Sequence, residues 1–316
     1  MNFIEALKSE NIENIRQFPK SDLHNHFVLG GNREYIFKKT GHYIKPISHP
    51  LKSMNEMDAW SNKYIGNYFN NTDLRKLLID ATFVQAKFDG VSILEIGEDV
   101  WGLSEFFDND IEKLIYAFQE ANERIAPEIE LRLQIGLSRH CSIEYLEDCL
   151  KHFWGHKEFY SIDLYGDELA QPIKNFVPIY EKAAENGLIL KTHIGEWGSA
   201  NDIMQAINLL HLNEIQHGIA SANNDDVINL LAEKNIRLNI TPSSNILLGR
   251  VSDMANHPIA KLYRKGVNVT INSDDILIFD SDVSKEYLRL YKSGCLSAEE
   301  LDNIRLNGLK HIQISR

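Results

Sequence analysis

The sequence predicts an α/β protein, a (β/α)8 barrel, and three observations carry that prediction. Eight short apolar segments recur along the 316 residues, with stretches of helical periodicity near them. Strands that alternate with helices are the pattern of βα units wound around a parallel sheet. The length is one at which such a barrel forms a single domain. The Gly-rich turn expected of an open, dinucleotide-binding sheet is missing. No repeat, low-complexity segment or linker divides the chain, so residues 1–316 are expected to form one barrel domain.

At the N-terminus Phe3, Ile4, Leu7, Ile12 and Ile15 recur at roughly helical spacing until Pro19, which predicts one leading helix under the barrel. The first strand follows and is expected to run to His26. Residues 27–90 read as a long helical insertion, with a turn at Gly30-Gly31-Asn32. Within it Trp60, Tyr64, Tyr68 and Phe69 fall at near-helical spacing. That stripe reads either as helix packing or as an aromatic lid over a planar ligand. Seven further strands are expected at 91–96, 131–137, 159–164, 188–193, 214–217, 236–241 and 267–272. Helical patterns at 110–125, 143–153, 174–184, 201–210, 225–234 and 257–265 lie between them, and the tail after Asp280 reads as further helices.

A formal charge of −12 opposes a protein that coats a nucleic-acid polymer, because phosphate binding needs a basic surface. It leaves room for a local basic pocket holding one small phosphate. The three cysteines, Cys141, Cys149 and Cys295, show no CxxC or metal-finger spacing, so reduced thiols in the cytoplasm are expected. No basic segment leads into an apolar core at the N-terminus, and no apolar run reaches membrane-spanning length. Neither a signal peptide nor a membrane partner is therefore expected, and nothing in the composition opposes an oligomer.

The residues able to do chemistry gather at strand ends. Strand one ends His24-Asn25-His26, and a strand turns residues two apart to the same face. Two imidazoles on one rigid face make half of a metal site. Strand four ends Asp163 through Glu168, strand five ends Lys191-Thr192-His193-Ile194-Gly195-Glu196, strand six ends Gln216-His217-Gly218, and strand eight ends Asn272-Ser273-Asp274-Asp275. Each has an ordinary reading: a core histidine, a helix-capping aspartate, a turn glycine. Barrel enzymes build their sites at the C-terminal ends of strands, so all five groups would converge on one mouth. His24, His26 and His193 with one carboxylate would supply a catalytic zinc and leave a position open for water. Asp274 and Asp275 are adjacent, so on a regular strand one reaches the metal while the other faces the substrate.

These stretches resemble the adenosine deaminase family of the amidohydrolase superfamily. The likeness is carried by Pro19 through His26, Ile162-Asp-Leu-Tyr-Gly-Asp-Glu168, Thr192-His-Ile-Gly-Glu196, Gln216-His-Gly218, Thr241-Pro-Ser-Ser-Asn245, and His257-Pro with Gly266 through Asp275. The resemblance implies one zinc per chain, held by His24, His26, His193 and Asp274. It implies Glu196 as proton donor to purine N1 and His217 as the group that orients the water and assists its deprotonation. It places Asp275 at N7 and the Gly166 backbone N–H at N3. The implied reaction is hydrolytic loss of ammonia from C6 of an adenine-type purine, with a small purine nucleoside or nucleotide as partner. The chemistry needs these types: zinc lowers the pKa of a bound water to about 7, and a protonated carboxyl at N1 makes C6 electrophilic.

The pattern changes just after His26. Val28 stands where the family carries the acid that would contact the ribose 5′-hydroxyl. Loss of a carboxylate removes repulsion against phosphate, and Gly30, Gly31 and Arg33 supply backbone N–H groups and a guanidinium nearby. A 5′-monophosphate of the AMP or dAMP type is therefore the alternative substrate expected, with Arg33 at the start of a solvent-facing helix as the plainer reading. Strand two ends Glu95-Ile-Gly-Glu-Asp99, without the family's Arg-containing stretch, and Ile276 replaces a common proline. Two-metal amidohydrolases commonly need a lysine at the end of strand four, where this chain has none. A non-catalytic binding or scaffold protein on the same fold is the alternative of another class. The zinc nucleobase deaminases with a P-C-x-x-C pair are excluded by the absence of that pair.

Overall fold

Parallel strands follow one another around the barrel in sequence order, so each strand end lies beside the next. They are β1 (Lys20–Asp22), β2 (Val91–Ile96), β3 (Glu130–Ser138), β4 (Phe159–Tyr165), β5 (Ile189–Ile194), β6 (Glu214–His217), β7 (Arg237–Ile240) and β8 (Asn268–Ile271). The computed structural model describes residues 1–66 and 68–312. β1 and β8 meet just beyond their ends through a parallel bridge between Asn25 and Asp274. The Asp274 N–H donates to the His24 carbonyl at 2.8 Å, and the Leu23 N–H to the Asn272 side chain at 2.8 Å. The Asp22 carboxylate accepts from the Asn25 amide at 3.1 Å and from the Ser273 N–H at 3.1 Å. The two segments that carry His24, His26 and Asp274 are thereby tied together.

The strands read as apolar runs because helices cover the outside while side chains fill the inside. Inside, one layer is ionic. Lys191, which shares a face of β5 with His193, is fully buried. Its ammonium donates to Glu95 on β2 at 2.9 Å and to the Leu23 carbonyl at 2.8 Å, with Glu214 on β6 at 3.8 Å. This network lies on the chain side of His193 away from the mouth and gives the site a rigid base.

The expected strands and helices are present with shifts of a few residues at their ends. Two expectations need correction. The single leading helix is two, Phe3–Lys8 and Ile12–Arg16. The chain turns at Glu10, whose φ is +53°, and Asn11 caps the second helix by accepting from the Glu13 N–H. β1 also stops at Asp22, so His24 and His26 are not on the strand; the ties to β8 fix them instead.

The insertion consists of helices Arg33–Thr40, Met54–Ser61 and Thr72–Asp89, with a π turn at Asn62–Gly66. The aromatic stripe packs within it. Phe69 is buried, the Trp60 indole donates to the Lys45 carbonyl at 3.0 Å, and Tyr68 stacks on His42 at 4.2 Å between ring centroids. Among the described residues no helix is long and apolar enough to cross a membrane. The three cysteines are unpaired.

Candidate active site

The C-terminal mouth of the barrel opens on a cavity of about 440 Å³, a volume normal for a small-ligand site. His26, His193, Glu196, His217, Asp274, Asp275 and Gly166 all line it, with His24 buried beneath. Seven residues from five separate stretches of the sequence thus converge on one opening.

His24, His26 and His193 present ring nitrogens to one another, and Asp274 closes the group. His24 Nδ1 lies 3.0 Å from the Asn239 carbonyl, which can only accept, so that nitrogen carries the proton. His24 Nε2 is then a bare lone pair, buried and without a hydrogen-bond partner. His193 Nδ1 lies 3.2 Å from the Asp163 carboxylate, which leaves its Nε2 bare as well. That Nε2 faces His26 Nε2 at 3.2 Å, and Asp274 Oδ1 is 3.6 Å from both His24 Nε2 and His26 Nε2. Burial first, and the neighbouring His193 second, hold the His24 ring well below the ordinary histidine value and bring His26 down to about 3. Neutral rings with converging lone pairs and one carboxylate are the donor set of a catalytic zinc, and the residues present fit that ion.

Above this group sit Glu196 and His217. Gly195 turns the chain with φ +74°, in the left-handed region that suits glycine. The Glu168 carboxylate holds the turn by accepting from the N–H groups of Gly195 at 2.6 Å, Glu196 at 3.1 Å and Trp197 at 2.7 Å. Burial, and then Asp274 and Glu168 nearby, push the Glu196 carboxyl well above the usual range, which favours its protonated form. His217 Nδ1 lies 3.0 Å from the Thr241 hydroxyl and 3.2 Å from the Asn245 amide, and Glu196 Oε1 is 3.5 Å away. His217 and Asp274 are both left-handed, each with φ +62°. Non-glycine residues in that region store strain, and such strain concentrates at functional sites. Asp275 Oδ1 is buried without a partner, and burial followed by repulsion from Asp274 and Glu196 raises its carboxyl well above normal.

Gly30, Gly31 and Arg33 stay away from the cavity wall. A Cβ on Gly30 would fall 2.0 Å from the Asn25 side chain, and one on Gly31 2.8 Å from Ala81. Both glycines permit close packing. The Arg33 guanidinium donates to Asp280 at 2.7 Å and to the Leu277 carbonyl at 2.9 Å, so it ties the insertion to the segment after β8. The expected phosphate cradle is therefore not assembled, nor does the Arg33 side chain face solvent freely. The lid expectation shifts in a similar way: Met57, Ser61, Asn62 and Ile65 line the cavity, whereas the aromatic stripe does not.

The sequence alone assigns no role to the positioning residues Asp163, Glu168, Thr241 and Asn245. All four lie inside the stretches that carried the resemblance, which was the signal available. At the end of β2 a guanidinium is present after all, supplied by Arg75 from helix Thr72–Asp89.

A (β/α)8 barrel with a histidine and carboxylate cluster at its C-terminal mouth defines a hydrolase of the amidohydrolase type. Residues 85–316 match the family model described as adenosine deaminase. The chain is 31% identical over 310 residues to an adenosine deaminase of Plasmodium falciparum (isolate 3D7), covering 90% of this chain and 82% of that one. It is 26% identical over 288 residues to a putative adenosine/adenine deaminase of Treponema pallidum (strain Nichols), covering 91% and 96%. Its fold matches the crystal structure of an adenine deaminase from Arthrobacter aurescens with a TM-score of 0.76 at 24% identity, covering 92% of each chain. The chain belongs to the adenosine deaminase family and is a deaminase of the hydrolase class.

Proposed function

We propose that this protein uses one zinc ion to hydrolyse the amino group from C6 of an adenine-type purine nucleoside, releasing ammonia. The observation that carries the reading is the pairing of two groups in one cavity: the ring nitrogens of His24 and His193 with Asp274, and a buried Glu196 carboxyl whose protonated form burial favours. His24, His26, His193 and Asp274 would hold the metal, which when bound supplies a water acidified toward neutral pH.

The protein's own groups do the rest. Glu196 donates its proton to purine N1, which draws electron density from C6 and opens it to attack. His217, fixed through Nδ1 by Thr241 and Asn245, accepts a proton from the attacking water. Purine N7 offers only a lone pair, so Asp275 must donate, and its raised carboxyl pKa keeps the proton it needs. Gly166, with φ +86°, lies on the cavity wall where its N–H can serve N3. The proton taken by His217 passes to the amino group, which leaves as ammonia, and the C6 hydroxyl returns a proton to Glu196 as it becomes the carbonyl oxygen.

The test is to load the protein with zinc, measure metal per chain, and follow the loss of adenine absorbance with adenosine as substrate. Deamination is expected, and a strong chelator should abolish it until zinc is restored. A zinc-loaded protein that leaves adenine, adenosine and deoxyadenosine unchanged would end this reading.

A further inference from the structure

The cavity extends beyond the reacting groups into a half that the deamination chemistry does not use. Consecutive strands divide the mouth: β5 to β8 supply the reacting groups with His24 and His26, while β2, β3 and β4 supply the opposite wall. On that wall Asp99, just past β2, and Ser138, at the end of β3, are both buried and both line the cavity. The Ser138 hydroxyl donates to one oxygen of the Asp99 carboxylate. The other oxygen accepts a 3.3 Å bond from the Trp101 N–H. Asp99 is held rigidly, because it bridges to Gly136 while Val100 N–H donates to the Gly136 carbonyl at 2.9 Å and Gly136 N–H to the Glu98 carbonyl at 3.0 Å.

Among the described residues Arg75 is the one guanidinium or ammonium on the cavity wall. Its charge is spent. The Glu98 carboxylate takes its Nε–H at 2.6 Å and its Nη2–H at the other oxygen, with both side chains buried. Val28, Leu29, Ile65 and Trp101 supply the apolar remainder.

We infer that this half of the cavity is a sugar subsite, in which the Asp99–Ser138 pair binds a hydroxyl of an uncharged ribosyl group while the Arg75–Glu98 pair closes the site to phosphate. A sugar hydroxyl needs an acceptor, and the cavity-lining Asp99 carboxyl has lone pairs beyond those its bonds to Ser138 and Trp101 occupy. A phosphate needs donors and a free cation; here it would meet carboxylates and a neutralised guanidinium, and would lose its hydration without replacement. β1 and β2 are neighbours in the barrel, so Asp99 can serve the ligand from beside Val28, which has no polar group to offer. The inference rests on the purine reading above and names the part of the substrate that lies beyond the base.

The experiment compares kcat and KM for adenine, adenosine and AMP in the zinc-loaded protein and in Asp99→Asn, Ser138→Ala and Glu98→Gln. The unaltered protein should prefer adenosine to AMP by about a hundredfold. Asp99→Asn and Ser138→Ala should raise the KM for adenosine about tenfold, the order expected for losing one hydrogen bond, and should weaken adenosine several-fold more than adenine. Glu98→Gln should release the Arg75 charge and narrow the preference over AMP by at least about tenfold. The subsite is overturned if adenine is the better substrate, if the variants depress adenine and adenosine alike, or if Glu98→Gln leaves the preference unmoved. Calorimetric binding of inosine and hypoxanthine separates this from failure of the deaminase reading. Tighter inosine binding that weakens in Asp99→Asn supports the subsite even without turnover, and equal binding of the two overturns it.

Discussion

Removing the Arg75 side-chain charge should cost more than removing the whole Arg75–Glu98 pair. The guanidinium donates two bonds to a carboxylate that is 1% exposed. In Arg75→Met that carboxylate keeps one donor, the Asp99 N–H at 3.1 Å from Oε1, and stays buried and unpaired. Breaking one side of a buried pair costs about 3–5 kcal/mol, because the remaining charge has lost both water and partner. Glu98→Gln should cost less, since the stranded guanidinium lies 4.5 Å from the Phe106 ring centroid and 4.9 Å from that of Phe27. Such cation–π contacts offset about 0.5–2 kcal/mol. The double variant Arg75→Met with Glu98→Leu leaves no stranded charge, and replacement of a buried pair by apolar side chains is often close to neutral.

Urea unfolding of the zinc-loaded protein and its three variants gives the cycle, with the slope checked so that each transition can be compared. The expected order of stability is double variant above Arg75→Met, by at least about 2 kcal/mol. An Arg75→Met loss below about 1 kcal/mol, or a double-variant loss equal to the sum of the single ones, would show that the pair is solvated and carries no buried-charge penalty.

Three further outcomes follow from the same geometry. Glu196→Gln should retain its metal while kcat/KM for adenosine falls by about 10²–10⁴-fold, the range for a lost general acid, and undiminished turnover would remove Glu196 from its role. Asp163→Asn loses the carboxylate that orients His193 through Nδ1, so zinc affinity in chelator competition should fall by about 10–100-fold. Burial, with Glu98 adding to it, pushes the Asp99 carboxyl up to about 7, so the folded chain keeps a proton that the unfolded chain releases near pH 4. Stability from this group is therefore lost as pH rises between those values; from pH 5 to pH 8 the unaltered protein should lose about 2–3 kcal/mol more than Asp99→Asn, and parallel pH curves would count against it.

The site was legible where its signals were local. His24 with His26, His193 with Glu196, and Asp274 with Asp275 are close in sequence, and barrel topology brings all strand ends to one mouth whatever the details of packing. β-strand periodicity explains less than it first suggests: β1 ends at Asp22, and the two histidines are aligned by bonds to residues 272–274. The strain at His217 and Asp274 had no signal either, since a left-handed φ in histidine or aspartate leaves no mark on composition.

What the sequence hid is pairing at a distance, and the phosphate expectation shows why that matters for substrate choice. A free guanidinium beside two glycines, at residues 30–33, suits an anion only while its partner is unknown. The partner of Arg33 is Asp280, 247 residues away. The guanidinium that does reach the cavity, Arg75, is matched by Glu98 across 23 residues, and Ser138 meets Asp99 across 39. Each pairing depends on which helix crosses which strand end, so neither spacing nor periodicity could give it. Charge type at a single position therefore pointed toward phosphate, whereas the balance of charge along the cavity wall points away from it. Which residues meet at the mouth could be read from strand ends together with the family resemblance; the pairings along the opposite wall could be read only once each charge had been assigned its partner.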